Sequence, residues 1–145
     1  TTVPNASKNS GEQLIATEWL LRENANFKTT ILRFGGLFGP DRHPATMLSG
    51  KTNLKNPEAP INLIHQQDCI EIIDTILEQQ YWEQTLNAAY ADHPQKEAYY
   101  TTICKQMNLP IPQYDKETVS IGKAIDPDKA VKELNYEFKK DLYTI

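Results

Sequence analysis

The side chains with chemistry to offer cluster in two short stretches. Asp41-Arg42-His43-Pro44 sets a guanidinium beside an imidazole in a loop. A guanidinium grips phosphate or carboxylate through two parallel N–H bonds. Arg42 and His43 are therefore candidates for an anion clamp, the alternative being an ordinary solvated loop charge. His65 lies where an apolar stretch gives way to a helical one. An imidazole there either contacts a ligand or caps the helix. Upstream, Gly35-Gly36-Leu37-Phe38-Gly39-Pro40 strips side chains from the chain just after a strand. That lets backbone approach a ligand closely, or it makes only a tight turn. It is not a dinucleotide fingerprint, because Pro40 and Asp41 stand where the phosphate-binding helix would begin. The six glycines, at 11, 35, 36, 39, 50 and 122, form no such fingerprint anywhere.

Other residues read as structural. His43, His65 and His93 share no short spacing with one another or with a cysteine, so no metal site is expected. Cys69 falls on an apolar helix face and reads as a small buried hydrophobe, and Cys104 has no activating neighbour. Tyr99-Tyr100 reads as core plus surface rather than a stacking platform. Lys139-Lys140 is too short for a nucleic-acid patch. Asp68 sits in the first turn of a helix, where its charge complements the dipole, and Asp126 reads first as a helix cap.

The elements that must position these residues alternate. Ser10 and Gln13 have capping-box spacing and predict a helix over 10–23. The β-branched run 29–34 predicts a strand that ends in the glycine turn. Residues 41–60, with Pro44, Pro57 and Pro60, predict a long surface loop holding one helical turn at Ala45–Leu48. A short strand is expected at 61–64 and the clearest helix at 67–79, with Cys69, Ile72, Ile73 and Ile76 on one face. A strand follows at 85–89. Asp92 and Pro94 then predict the start of a helix that Asn108 and Pro110 stop. Residues 109–121 are irregular, 122–125 form a short strand, and Asp126-Pro127 opens a last helix to about Leu134. Asn135 is its left-handed stop. The tail from Tyr136 onward carries no assignment. Helix and strand alternation of this kind predicts an α/β protein with a mostly parallel sheet.

Composition bounds the rest. The chain has 145 residues, 39% of them hydrophobic, and a formal charge of −4 from 15 basic and 19 acidic side chains. That suits one domain with its own core. Mild acidity argues against nucleic acid, and no apolar run approaches the roughly 18 residues needed to cross a bilayer. The start, Thr1-Thr2-Val3-Pro4-Asn5, shows no signal peptide. Two cysteines cannot build a disulfide framework, so a reduced, cytoplasmic setting is expected.

Three segments together resemble the extended short-chain dehydrogenase/reductase superfamily, of the NAD-dependent epimerase/dehydratase type. Leu32-Arg33-Phe34-Gly35-Gly36-Leu37-Phe38-Gly39-Pro40 is similar to that family's strand ending in Arg and running into a Tyr/Phe-Gly-Pro turn. Asn62-Leu63-Ile64-His65-Gln66-Gln67-Asp68-Cys69 is similar to its Ile-His-x-x-Asp strand-to-helix junction, and Thr85-Leu86-Asn87-Ala88-Ala89 to its Tyr-Asn-Val strand. Gly122 through Asp126, Lys129 and Leu134-Asn135-Tyr136 also looks like the family's C-terminal segment. The likeness spans nearly all of residues 4–140.

The resemblance implies the C-terminal part of a Rossmann-like doubly wound parallel sheet plus a small substrate-binding subdomain. Residues 1–40 and 85–108 would supply sheet elements, and 41–84 and 109–145 the substrate side. The N-terminal dinucleotide-binding half, which carries the glycine fingerprint, would be absent. It implies NAD or NADP as cofactor of the intact protein, with weak or no binding by this chain alone. Phe34, Gly35 and Gly36 would face the nicotinamide, while Arg42, His43 and His65 would face a nucleotide-sugar or related small molecule. The family's catalytic Tyr and Lys positions fall on Ser10 and Leu14, which cannot replace them. No tyrosine precedes Tyr81, and slipping the alignment toward Lys8 restores nothing. This departure resembles an atypical subgroup, the YeeZ-like proteins, and leaves the catalytic residues unassigned. It keeps a second reading open: a non-catalytic relative that binds NAD(P) or a metabolite as a sensor or scaffold. Half of a doubly wound sheet would expose an apolar edge and face, to be covered by the front half or by a second copy.

Overall fold

A computed structural model of the chain describes residues 9–144. Residues 1–8 and 145 lie outside it, and with them the opening stretch 1–5, Lys8 and the first residues of the family likeness.

The chain runs α1 (Asn9–Arg22), β1 (Ile31–Phe34), β2 (Gly36–Phe38), α2 (Pro44–Leu48), β3 (Leu63–His65), α3 (Gln66–Glu78), β4 (Thr85–Ala88), α4 (Lys96–Gln106) and α5 (Asp128–Leu134). All strand pairing between these elements is parallel, as expected for an α/β chain. It falls into two pairs. β1 lies beside β4, with Ile31 opposite Thr85 and Phe34 opposite Ala88. β2 lies beside β3, with Gly36 opposite Leu63 and Phe38 opposite His65. One step of backbone separates the pairs: Gly35 N–H bonds Ala88 O at 2.8 Å, and the next amide, Gly36 N–H, bonds Asn62 O at 2.7 Å. The segment 35–40, expected to break regular structure, thus contains a strand. Its glycines and short length hide the alternation that would mark one.

β3 divides the interior. Leu63 packs with Phe38, Ala45, Tyr99, Ile103 and Leu142 in one core. Ile64, on the opposite face, packs with Ile72, Ile76, Leu86 and Leu134 in the other. Successive strand residues point to opposite faces, so one short strand feeds both cores.

Helix boundaries follow the sequence closely, with several corrections. Asp126 Oδ1 accepts from Asp128 N–H at 2.8 Å, and Asn135 sits in the left-handed region at φ 48°, as expected at the two ends of α5. Ser10, however, lies inside α1 rather than capping it. Asp92 does not cap α4, since its carboxylate bonds the amide of His93, and Gln95 holds the cap position without a side-chain bond. Ile73 faces solvent, not the core. No strand forms over 122–125. Side-chain amides hold that segment instead: Asn62 Oδ1 accepts from Ile125 N–H at 2.6 Å, and Asn62 Nδ2 donates to Lys123 O at 2.9 Å. Asn56 Oδ1 likewise accepts from Ile121 N–H. A side chain can supply these bonds without a ladder, so strand propensity had nothing to reveal.

α1 is tied to β1 by a two-pronged ion pair between Glu18 and Arg33, which holds the Glu18 carboxyl below the usual carboxylate range. Its apolar side chains stay outside: Leu14, Trp19 and Leu20 are 66%, 60% and 75% exposed. Ile70, Ile73 and Leu77 of α3 are exposed too. No described helix is long and apolar enough to cross a membrane.

Candidate functional site

The parallel pairs bring most of the sequence-picked residues into one neighbourhood. Phe34 ends β1 and is 37% exposed, and Gly35 and Gly36 follow at the crossover. β2 then runs about 7 Å to Phe38, which is buried. The Phe38 ring makes T-shaped contacts with both His43, at 5.5 Å between centroids, and His65, at 5.1 Å. Gly39 and Arg42 close a tight turn through two backbone bonds, Gly39 N to Arg42 O at 2.8 Å and Arg42 N to Gly39 O at 3.1 Å. A Cβ on Gly39 would stand 3.2 Å from the Gln66 side chain, so the turn packs on the start of α3. Arg42 is therefore displayed, exposed, on a pinned turn next to His65-Gln66. Ser10 and Leu14 lie exposed on α1.

The two histidines are held differently. His65 caps α3, with Nδ1 accepting from Gln67 N–H at 3.1 Å. A neutral imidazole then carries its proton on Nε2, and that N–H has no protein acceptor among the described residues. It is a donor available to a ligand. His43 is engaged at both nitrogens. Nδ1 accepts from Ala45 N–H at 3.1 Å, capping α2, and Nε2 lies 3.2 Å from Tyr99 Oη. Tyr99 in turn donates to Leu142 O at 2.7 Å. The chain of donors runs from imidazole to phenol to carbonyl, and it fastens the C-terminal segment behind the Arg42 turn.

Burial of His43 pushes its pKa below the ordinary imidazole range. The unfolded chain therefore takes up a proton that the folded one resists. Stability from this group is full above about pH 6.5 and declines as pH falls below it. The urea midpoint is expected to drop between pH 7.5 and 5.5, and to drop less in His43→Asn, which keeps a capping oxygen and loses the titration. An equal drop in the variant would assign the loss to other groups.

The glycines have an internal reason to be glycine. A Cβ on Gly35 would sit 2.8 Å from Asn62 O, and one on Gly36 2.8 Å from Leu63 Cδ2. The room they leave is filled by β3 and the residue before it. Burial raises the Cys69 thiol to about 11, Asp68 adding to the effect, and also raises Cys104, so neither is an activated nucleophile. Asp68 is structural, as expected. Its Oδ1 accepts from Tyr136 Oη at 2.8 Å and from Lys139 N–H at 2.7 Å. Among the described residues, no three His, Cys, Asp or Glu side chains gather as a metal site.

Sequence reasoning missed Tyr99 as the partner of His43, because 56 residues separate them. It also missed Asn62, whose side chain organises 123–125 from 61 and 63 residues away. No local signal marks either.

No family model matches the chain. Protein YeeZ of Escherichia coli (strain K12) is 32% identical over 140 residues, which is 96% of this chain and 51% of YeeZ. The chain thus spans about half the length of this relative. A conserved protein of unknown function from Silicibacter pomeroyi DSS superposes with a TM-score of 0.83 at 16% identity, over 99% of this chain and 56% of that one. The UDP-glucose-4-epimerase from Stenotrophomonas maltophila, with bound NAD and formylated UDP-arabinopyranose, superposes with a TM-score of 0.73 at 17% identity, over 96% of this chain and 52% of the other. The α/β fold is thus shared with these neighbours over about half of each, and in sequence the chain is similar to YeeZ.

Proposed function

We propose that the chain is the substrate-binding part of an NAD(P)-dependent epimerase/dehydratase-like protein acting on a nucleotide-sugar or related small molecule. The observation that carries this reading is the packing of His43 and His65 against Phe38, with Arg42 on the Gly39–Arg42 turn that follows it, one short strand away from the exposed end of β1. The crevice outside the carboxyl ends of parallel strands is where open α/β sheets bind ligands. A bound nicotinamide would supply hydride transfer, and Phe34, Gly35 and Gly36 would lie toward it. Arg42 would pair with an anionic group of the substrate, and His65 would donate Nε2–H to one of its oxygens. His43 would hold the turn that presents Arg42. Residues 1–40 and 85–108 belong on this reading to the cofactor side, and 41–84 and 109–145 to the substrate side.

A non-catalytic sensor or scaffold is favoured instead by Ser10 and Leu14, exposed residues at the positions to which the resemblance assigns the family's acid and lysine. Titration separates the readings. NADH and NADPH fluorescence is expected to show weak or no binding to this chain alone. UDP-glucose, followed by calorimetry, is expected to bind at least tenfold more weakly to Arg42→Ala, matching a lost charged hydrogen bond, with the thermal midpoint unchanged. Unchanged affinity would remove the substrate-loop assignment.

A further inference from the structure

The hydrogen bonds around His43 leave a second ring proton no place. A carbonyl oxygen only accepts, so the 2.7 Å contact between Tyr99 and Leu142 O takes the phenol's one proton. The 3.2 Å contact between His43 Nε2 and Tyr99 Oη therefore runs from Nε2–H to the phenol oxygen. Nδ1 is bare, and it accepts from Ala45 N–H at 3.1 Å as the N-cap of α2. The neutral ring is complete in this arrangement. A further proton would have to sit on Nδ1, where it meets the Ala45 N–H, donor against donor.

No neighbour relieves that clash. His43 is buried, with Arg42 beside it on its own turn and His65 of β3 across the Phe38 ring. Tyr99 of α4 stacks on it, and Tyr100 and Tyr143 pack on Tyr99. Cys104 of α4 turns its thiol to Ala45 O. Asp141, whose charge bears on Tyr99, has Oδ1 taken by Tyr143 N–H and the Thr144 hydroxyl. Among the described residues no carboxylate bonds the ring. An imidazolium can form only once the ring leaves Ala45.

What the ring holds is short. α2 has five residues, and its first turn is fixed by this cap and by the bonds of Thr46 N–H and Thr46 Oγ1 to His43 O. All of these pass through residue 43. The Gly39–Arg42 turn joins it on the other side. A displaced ring therefore loosens both the start of α2 and the turn that displays Arg42. Tyr99 keeps its bond to Leu142 O, so the C-terminal segment need not follow.

We propose that His43 is an acid-operated latch, whose protonation releases the start of α2 and the Arg42 turn from α4 while the rest of the chain stays folded. The latch does not depend on what Arg42 binds: a chain that took no UDP-glucose would still open in acid. The test is NMR on the whole chain. At pH 7.5 the ring nitrogens are expected to show a proton on Nε2 and none on Nδ1, and the opposite tautomer overturns the proposal. Amide hydrogen exchange then follows the opening. After correction for the intrinsic rate, the Ala45 amide is expected to lose about tenfold in protection between pH 7.5 and 5.5. That factor is the limit for one proton taken up near pH 6.5 by the open form alone. Dilute urea should leave this exchange unchanged, as it does for local openings. The Gly35 amide, bonded to Ala88 O, should instead exchange through global unfolding and respond to urea. His43→Asn should abolish the acid effect at Ala45, and His65→Asn, which alters the similar cap of α3, should leave it. Both wild-type readouts stand even where a variant fails to fold. Constant protection at Ala45, exchange that tracks Gly35 at every pH and urea concentration, or an acid effect that survives in His43→Asn overturns the latch.

Discussion

Asp68→Ala is expected to destabilise the chain by about 3 kcal/mol, the largest loss from any single polar residue here. Asp68 is completely buried at the start of α3. Its Oδ1 accepts from the Tyr136 hydroxyl and the Lys139 amide. Truncation orphans the Lys139 amide and leaves the Tyr136 hydroxyl only its long 3.4 Å bond to Glu71 Oε2, a lost partner costing about 1–3 kcal/mol when buried, and removes a carboxylate from a helix N-terminus. Some of the loss is offset, because Oδ2 is itself a buried acceptor with no protein partner. Tyr136→Phe removes donor and demand together and should cost about 1 kcal/mol. Urea denaturation of the two variants measures the difference. Should Asp68→Ala cost no more than Tyr136→Phe, the carboxylate is not what docks 136–139 onto α3.

Gly35→Ala is expected to cost about 2–3 kcal/mol, the usual range for overpacking a tight site. The reason is what the new methyl would meet. At Gly35 the obstacle is the Asn62 carbonyl at 2.8 Å, with Ala89 Cβ at 3.2 Å. Backbone oxygen in a paired segment cannot swing aside, so the β1–β4 and β2–β3 pairs must part. At Gly36 the obstacle is Leu63 Cδ2, also at 2.8 Å but at the end of a side chain with rotamers to choose from. Gly36→Ala should therefore cost less than half as much. Thermal or urea midpoints of the two variants decide it, and the opposite order would refute the backbone-clash account.

How far the sequence could be read depended on how local each signal was. α3 was legible because Cys69, Ile72 and Ile76 repeat at helical spacing, and Asn135 because an asparagine after an apolar helix is a common left-handed stop. The parallel sense of the pairing followed from helix and strand alternation, while the partnership of 31–34 with 85–88 came only from the structure. β2 was not legible: three residues, one of them a glycine and only Phe38 buried, show no period. The 122–125 segment misled for the opposite reason, since apolar residues suggested a ladder that the Asn56 and Asn62 amides replace. The site divided in the same way. Arg42, His43 and His65 could be named from the loop and junction they occupy. That His43 spends both nitrogens inside the protein depended on Tyr99 and Leu142, far along the chain.

β3 has a consequence for how disturbances spread. Its neighbouring residues Leu63 and Ile64 anchor separate apolar clusters, and its last residue is His65. A three-residue septum of this kind cannot tilt toward one compartment without pulling on the other. Any small shift imposed on the imidazole at its tip is therefore shared at once by both halves of the interior, which makes the chain mechanically a single body despite its divided packing.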